Sequence, residues 1–192
     1  MKKILIASLV GGIILFAWHS LSWMIMPTHL DTFHYTPAQD SILKVLKNSG
    51  ITSGAYLMPA ADSRNATAFD ANYRKKCEEM MNTNVGKPMA TIFYKDAMPT
   101  MSGTQFFYGF LFELIAVFCA CLLLSLAYQS NASFLMRWWM VMLFAVIYVM
   151  QAPMPGHNWM NEPWHYTTGF IYDAFIGWGL AGLWLASYLK RK

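Results

Sequence analysis

HNWMNEPWHYTTGFIYDAFIGWGLAGLW, residues 157–184, governs how the rest of the chain is read. It opens as a polar, aromatic-rich loop and passes into an apolar run from Tyr166 to Leu189. A helix of that length crosses a bilayer core of about 30 Å at 1.5 Å per residue. One carboxylate, Asp173, sits well inside the run. An ionisable group at membrane depth costs free energy unless it is paired or wet, so it marks a site by default.

Composition agrees with a membrane setting. The 192 residues are 56% hydrophobic and only 12% charged, with mean hydropathy +0.33. Soluble domains average about 25% charged residues. Three further apolar runs are long enough to span: Ile4 to Met26, Gln105 to Tyr128, and Phe134 to about Ala152. The first begins Met-Lys-Lys like a signal peptide. It is longer than a cleavable apolar core and ends in WHSLSWMIMP without a small-x-small site, so it reads as an anchor. The reading is therefore an all-α transmembrane four-helix bundle in three parts. These are an anchor helix (1–26), a small α/β extracytoplasmic cap (27–104), and helices two to four (105–192) with an outer loop at 153–165. A tight turn is expected at 130–133.

Basic residues set the orientation. Lys2 and Lys3, Arg137, and Lys190, Arg191 and Lys192 fall on one side of four crossings, while the loop 153–165 has no Lys or Arg. Both termini are then cytoplasmic, and 27–104 lies outside. Trp18, Trp23, Trp138, Trp139, Trp159 and Trp164 fall near the expected interfaces, as an aromatic belt does. The opening residues suit a bacterium, so the location is the cytoplasmic (inner) membrane, multi-pass, with 27–104 periplasmic. The formal net charge of +4 resides partly in these flanking clusters. No basic face interleaved with aromatics points to nucleic acid.

In the outer segment, Thr36-Pro37 opens a helix over about 37–48 that Gly50 stops. Residues 55–58 read as a short extended run, 70–82 as a charged helix, and 89–94 as an alternating strand. Asn65-Ala66-Thr67 has the form of a glycosylation acceptor, which carries no meaning in a bacterium. A segment this small has a marginal core of its own.

His19, Glu113 and Asp173 each lie about 12 Å, eight residues, from the outer end of their span. Their helices carry small-residue stripes on the same faces: Ser8, Gly12 and Ser22; Gly109, Ala116 and Ala120; Gly169, Gly177 and Ala181. Transmembrane helices approach closely along such stripes. The three ionisable residues should thus point inward together, with Gln151 of the third span able to join. Such a cluster is either a buried packing network or a ligand-binding site, and both stay open. His157, Asn158, Trp159, Asn161, Trp164 and His165 then form an outer lid. His29 and His34 read as interfacial residues just past the first span.

Imidazole with carboxylate suits a transition metal, so His19, Glu113, Asp173, His157 and His165 are metal candidates. No HxxxH or HExxH spacing occurs among them. The 15 methionines, many in outer positions, raise copper handling as an alternative to simple packing. No cofactor is specified. Cys77, Cys119 and Cys121 make no disulfide framework. Ser20, Ser22 and Ser125 lack a G-x-S-x-G context, and no phosphate-binding loop occurs.

The anchor, the outer Ala55-Tyr56-Leu57-Met58-Pro59 and Met89 to Tyr94, and the later Tyr166-Thr167, Asp173 and Gly177-Trp178 together resemble a family of small four-span bacterial membrane proteins of uncharacterised function. The resemblance implies the four-span architecture and carries no activity, cofactor or site residue. The first reading is an accessory or interaction protein, in the bilayer, presenting its outer cap to a membrane or periplasmic protein partner. The alternative is a binding or transport-like protein using the outer-leaflet His/Glu/Asp pocket for a metal ion, proton or small ligand. Four spans are few for a transporter, so that alternative implies a homo-oligomer. An enzymatic role is disfavoured.

Overall fold

A backbone in hydrocarbon must satisfy its N–H and C=O groups internally, so long apolar segments become helices. The computed structural model describes residues 1–64, 66–67, 70–127 and 132–190. Its elements are α1 (Lys2–Met24), a 3-10 turn (Pro27–His29), α2 (Gln39–Asn48), β1 (Gly54–Met58), α3 (Ala71–Asn84), β2 (Ala90–Tyr94), α4 (Gly103–Ala127), α5 (Phe134–Gln151), α6 (Pro153–Met160) and α7 (Trp164–Tyr188). Four stretches are long and apolar enough to cross a membrane: Lys2–Met24, Gly103–Leu126, Phe134–Met160 and Trp164–Tyr188. The protein is an all-α bundle of these helices with a two-stranded hairpin inserted between the first two. The expected turn at 130–133, the Asn65 acceptor, and Arg191 and Lys192 lie wholly or partly outside the described residues.

Chain contacts divide the molecule into two units, Met1–Tyr35 with Met101–Lys192, and Thr36–Thr100. In the helical unit α7 is central. It packs along α1 and along α5, and α1 packs along α4, whereas α4 and α5 barely touch although they are consecutive. Half of the α7 spanning window is buried, against 28% or less in the other three, which fits a helix packed on two sides. Small residues make this possible. A Cβ on Gly177 would stand 2.7 Å from a Leu15 methyl, and one on Gly12 would stand 3.1 Å from the Leu114 Cα. The core includes Leu15, Val117, Val141, Ala145, Ala181 and Leu185, all essentially inaccessible.

Basic residues gather at one end of this unit. Lys3 Nζ donates to the Lys190 carbonyl at 2.8 Å, and Arg137 Nε donates to the Ala186 carbonyl at 2.9 Å.

The segment 153–165, expected as a loop, is mostly helix. Pro153 lacks an N–H and ends α5, but proline is well tolerated in a first helical turn, so α6 restarts there. Asn161 then takes the left-handed conformation (φ 55°), and Glu162 N–H bonds the Gly156 carbonyl at 3.3 Å. The left-handed residue ends α6, as a C-terminal residue with positive φ commonly does. Pro163 sets up α7, and its carbonyl accepts from Tyr166 and Thr167.

In the Thr36–Thr100 unit, β1 and β2 pair antiparallel from Gly54↔Tyr94 to Met58↔Ala90. Asp96 Oδ2 clamps one end of the ribbon by accepting from Ser53 N–H and Oγ at 3.2 and 2.9 Å. Asp70 caps α3 by accepting from Asn72 and Tyr73 N–H. Gly50 takes positive φ where α2 ends. Among the described residues Tyr94 is the one buried hydrophobic side chain of this unit.

Close approach across Gly12 should make it intolerant of a side chain. Gly12→Leu is expected to lose about 1–3 kcal/mol of stability through overpacking. Gly103, with nothing within 4 Å, should accept alanine without loss. Thermal unfolding of the two variants in detergent checks the contrast.

Candidate functional site

After α1 the chain runs extended at Met26, and Pro27 starts a turn that swings His29 back onto α7. Gly169 makes room, because a Cβ there would lie 2.9 Å from the His29 ring. His29 Nε2 meets Asp173 Oδ2 at 2.9 Å, and Ser22 Oγ donates to Asp173 Oδ1 at 2.5 Å. Thr32 Oγ1 stands 3.1 Å from His29 Nδ1. Trp23 stacks on the ring at 3.8 Å and 13°. With Asp173 ionised, Nε2 carries the proton and donates it, which fixes the tautomer of a neutral ring and leaves Nδ1 to accept from Thr32. His29 and Asp173 side chains are each only 5% exposed. Both carboxylate oxygens are thus bonded in a buried setting, which offsets the desolvation of the charge.

This Ser–His–Asp set has the wrong order for nucleophilic catalysis. In a catalytic triad the serine gives its proton to a histidine that the carboxylate orients through its other nitrogen. Here Ser22 donates to the carboxylate, Nε2 faces both Ser22 and Asp173, and Ser22 is inaccessible.

A second pair lies one turn deeper. His19 Nδ1 meets Glu113 Oε1 at 2.6 Å. The His19 ring abuts Gly177, four residues beyond Asp173, with Nε2 3.4 Å from where a Cβ would be. His19 and Glu113 keep 30% and 23% of their side-chain surface open. They open onto a cavity of about 580 Å³ whose wall also includes Asp173, Trp23, Tyr148 and Trp178. The cavity draws on α1, α4, α5 and α7, on the side where α4 and α5 fail to pack. The three ionisable residues therefore share one cavity wall but are bonded as two separate pairs, His19–Glu113 and His29–Asp173.

Other expected residues lie elsewhere. Gln151, the last residue of α5, is exposed and does not line the cavity. His157 Nδ1 bonds the Glu162 carbonyl at 2.7 Å, and its ring meets Trp164 edge-on at 5.0 Å. His165 stacks on His34 at 4.1 Å, nearly parallel. Asn158 and Trp159 are exposed on α6, and Asn161 serves the α6 cap. None of these lines the cavity, and the bonds and ring contacts they make are within the segment, to His34 and to the start of α7. Among the described residues no group of three or more His, Cys, Asp or Glu converges as a metal ion requires. The buried His29–Asp173 pair, with its bonds already taken, argues against the outer-leaflet metal pocket.

His29 is the residue that sequence reasoning missed. Depth counting treated Pro27 as the exit from the membrane. The usable signal was a proline two residues before a histidine, right after a helix whose last turns carry Ser22 and Trp23.

The Thr36–Thr100 unit offers a different surface. Ile42, Leu43 and Val45 of α2 are all exposed, and α2 buries no residue. A groove of about 500 Å³ runs between Leu43 and Leu46 on one side and Ile92, Phe93, Met98 and Pro99 on the other.

Fold and composition together define a multi-span helical membrane protein. No family model, curated protein or solved structure matches the chain, so the resemblance to small four-span proteins stands at the level of architecture.

Breaking the buried pair is expected to be costly. Asp173→Ala or His29→Ala should each lose about 3–5 kcal/mol, because either leaves a buried polar partner unpaired. The double variant should lose less than the sum. Gln151→Ala should stay within about 0.5 kcal/mol. Equilibrium unfolding of the four variants in one detergent measures the cycle.

Proposed function

We propose that the chain is a non-enzymatic accessory protein of a bacterial cytoplasmic membrane, whose Thr36–Thr100 unit lies outside and completes its core against a protein partner. The observation that carries this reading is the uncovered apolar face of α2, facing the groove with Phe93, in a unit with almost no core of its own. Apolar side chains at i, i+1, i+3 and i+4 on a short helix are those that dock into a partner surface. A membrane-surface role for the same face is weaker, because such helices carry lysine or arginine along a broad polar face with bulky apolar residues opposite. Here α2 has two lysines, Lys44 and Lys47, and no aromatic residue.

Support for sidedness comes from the cluster of Lys3, Arg137 and Lys190 at one end of the helical unit. By the positive-inside rule that end is cytoplasmic. The bond from Lys3 to Lys190 also puts the first and last helices with their ends side by side, as an even number of crossings requires.

Two measurements test the reading. A cysteine placed at Lys75, in a chain whose Cys77, Cys119 and Cys121 are replaced by serine, should react with a membrane-impermeant maleimide added outside intact spheroplasts, and labelling only after the membrane is permeabilised reverses the orientation. A photoreactive side chain at Val45 or at Phe93 should give, in cells, the same discrete adduct with one envelope protein, and Leu43→Lys should abolish it. Adducts with lipid alone, or with this chain alone, sink the partner reading.

A further inference from the structure

The helix packing leaves a large opening in the helical unit. α4 and α5 are joined in sequence and yet hardly touch, because α1 and α7 stand between them in the order α4–α1–α7–α5. A gap between two spanning helices opens sideways into lipid, so its contents come from the bilayer. Its volume of about 580 Å³ lies within the usual range for small-molecule sites. A helix 10–12 Å across would fill that volume in about one turn, so the space suits a small molecule better than a second copy's span.

The chemistry of the wall narrows the occupant. Flat aromatic faces come from three helices: Trp23 from α1, Phe144 and Tyr148 from α5, and Phe170 and Trp178 from α7. Several are pinned. Trp23 is stacked on His29, and Phe144 lies on Trp178 at 5.2 Å and 23°. Rings held by their own neighbours form a preorganised slot, which lowers the ordering cost of binding. The polar part of the wall is already engaged in hydrogen bonds. Asp173 has both oxygens bonded to Ser22 and His29, and Glu113 is paired with His19. A charged headgroup of either sign therefore meets only groups that already have a hydrogen-bonded partner. What the wall offers is hydrogen bonding, from the partly open His19–Glu113 pair and the Tyr148 phenol, beside flat apolar surfaces. A bare acyl chain would leave those groups unused and desolvated.

We propose that this cavity is a side-access binding site for a bilayer-dissolved amphiphile whose headgroup is a flat, uncharged ring bearing hydrogen-bond acceptors, of the quinone class. The ring lies between Trp23 and the Tyr148–Phe144 wall, with a carbonyl within reach of His19–Glu113. The apolar tail leaves between α4 and α5. Binding alone is inferred, with no electron or proton transfer.

The test uses the full chain in phosphatidylcholine nanodiscs, with a decyl-tailed benzoquinone as probe. Binding is read as the saturable component over empty nanodiscs and as a rise in Tm. One saturable site per chain is expected. Ile147→Trp, at an exposed position of the cavity wall, should weaken binding at least tenfold while leaving the fold intact. Ala116→Trp should do the same from the α4 side, and Glu113→Gln should weaken it several-fold. Leu9→Trp, on a lipid-facing position away from the cavity, should change nothing. Decyltrimethylammonium and decanol should each bind at least tenfold more weakly than the quinone. The proposal is overturned if uptake is only linear partitioning, if folded Ile147→Trp and Ala116→Trp proteins bind like the parent, or if either comparison amphiphile binds as tightly.

Discussion

A carboxylate placed among apolar helices sets the terms for everything around it. Asp173 lies in the middle of the helix that touches most of the bundle, and its charge is tolerable only where each oxygen finds a donor. Ser22 supplies one from the last turn of α1. The other comes from His29, which lies beyond the helix end and must be brought back. The proline turn, the missing side chain at Gly169 and the Trp23 stack are the local features that bring it back. The same residues thus settle the end of the first span, the register of α1 against α7, and the geometry of the outer end of the bundle.

The packing pattern follows from where small residues are placed. Gly177 and Gly12 let α7 and α4 approach α1 closely, and Gly182 lets Trp138 of α5 lie against α7. In lipid no hydrophobic force closes the remaining side, since apolar side chains are as comfortable in hydrocarbon as against one another. A water-soluble bundle would collapse a gap between α4 and α5 to bury its apolar surface. Here it persists, and the His19–Glu113 pair at its wall keeps part of its surface open.

Much of this architecture was legible from length and composition. Each span is an apolar run whose ends are marked by a proline, a small polar stretch or a lysine, and the observed helices begin and end within about two residues of them. The inward face of α7 was legible too, because Gly169, Asp173, Gly177 and Ala181 repeat at helical spacing and are all buried. Legibility failed where the chain turns. Two prolines and a glycine in 153–156 read as a loop, although prolines in a first turn permit a helix. Gln151 has suitable chemistry, but its position on the α5 helix turns it outward. Equal depth placed His19, Glu113 and Asp173 together without saying which bonds which, since pairing depends on azimuth and on segments beyond the helices. His29 shows the gap most clearly: its role depends on a backbone reversal that no periodicity records.

The separation into two layers bears on what each is for. A polar network that only holds helices together gains by being fully bonded and sealed, because any open donor or acceptor is a loss of stability. The His29–Asp173–Ser22 layer meets that description, with its members almost fully buried and both carboxylate oxygens used. The His19–Glu113 pair does not. It lies one turn further along α7, yet is the more exposed of the two, and part of that exposure is to the cavity. Depth alone would predict the opposite order. A pair that is deeper and yet more open is poorly placed for a purely structural role, since a larger residue on the α4 or α5 wall would seal it at little cost in lipid. The outer layer thus reads as the fastening that fixes α1 on α7, and the inner pair as the part of the wall left available to whatever enters from the bilayer.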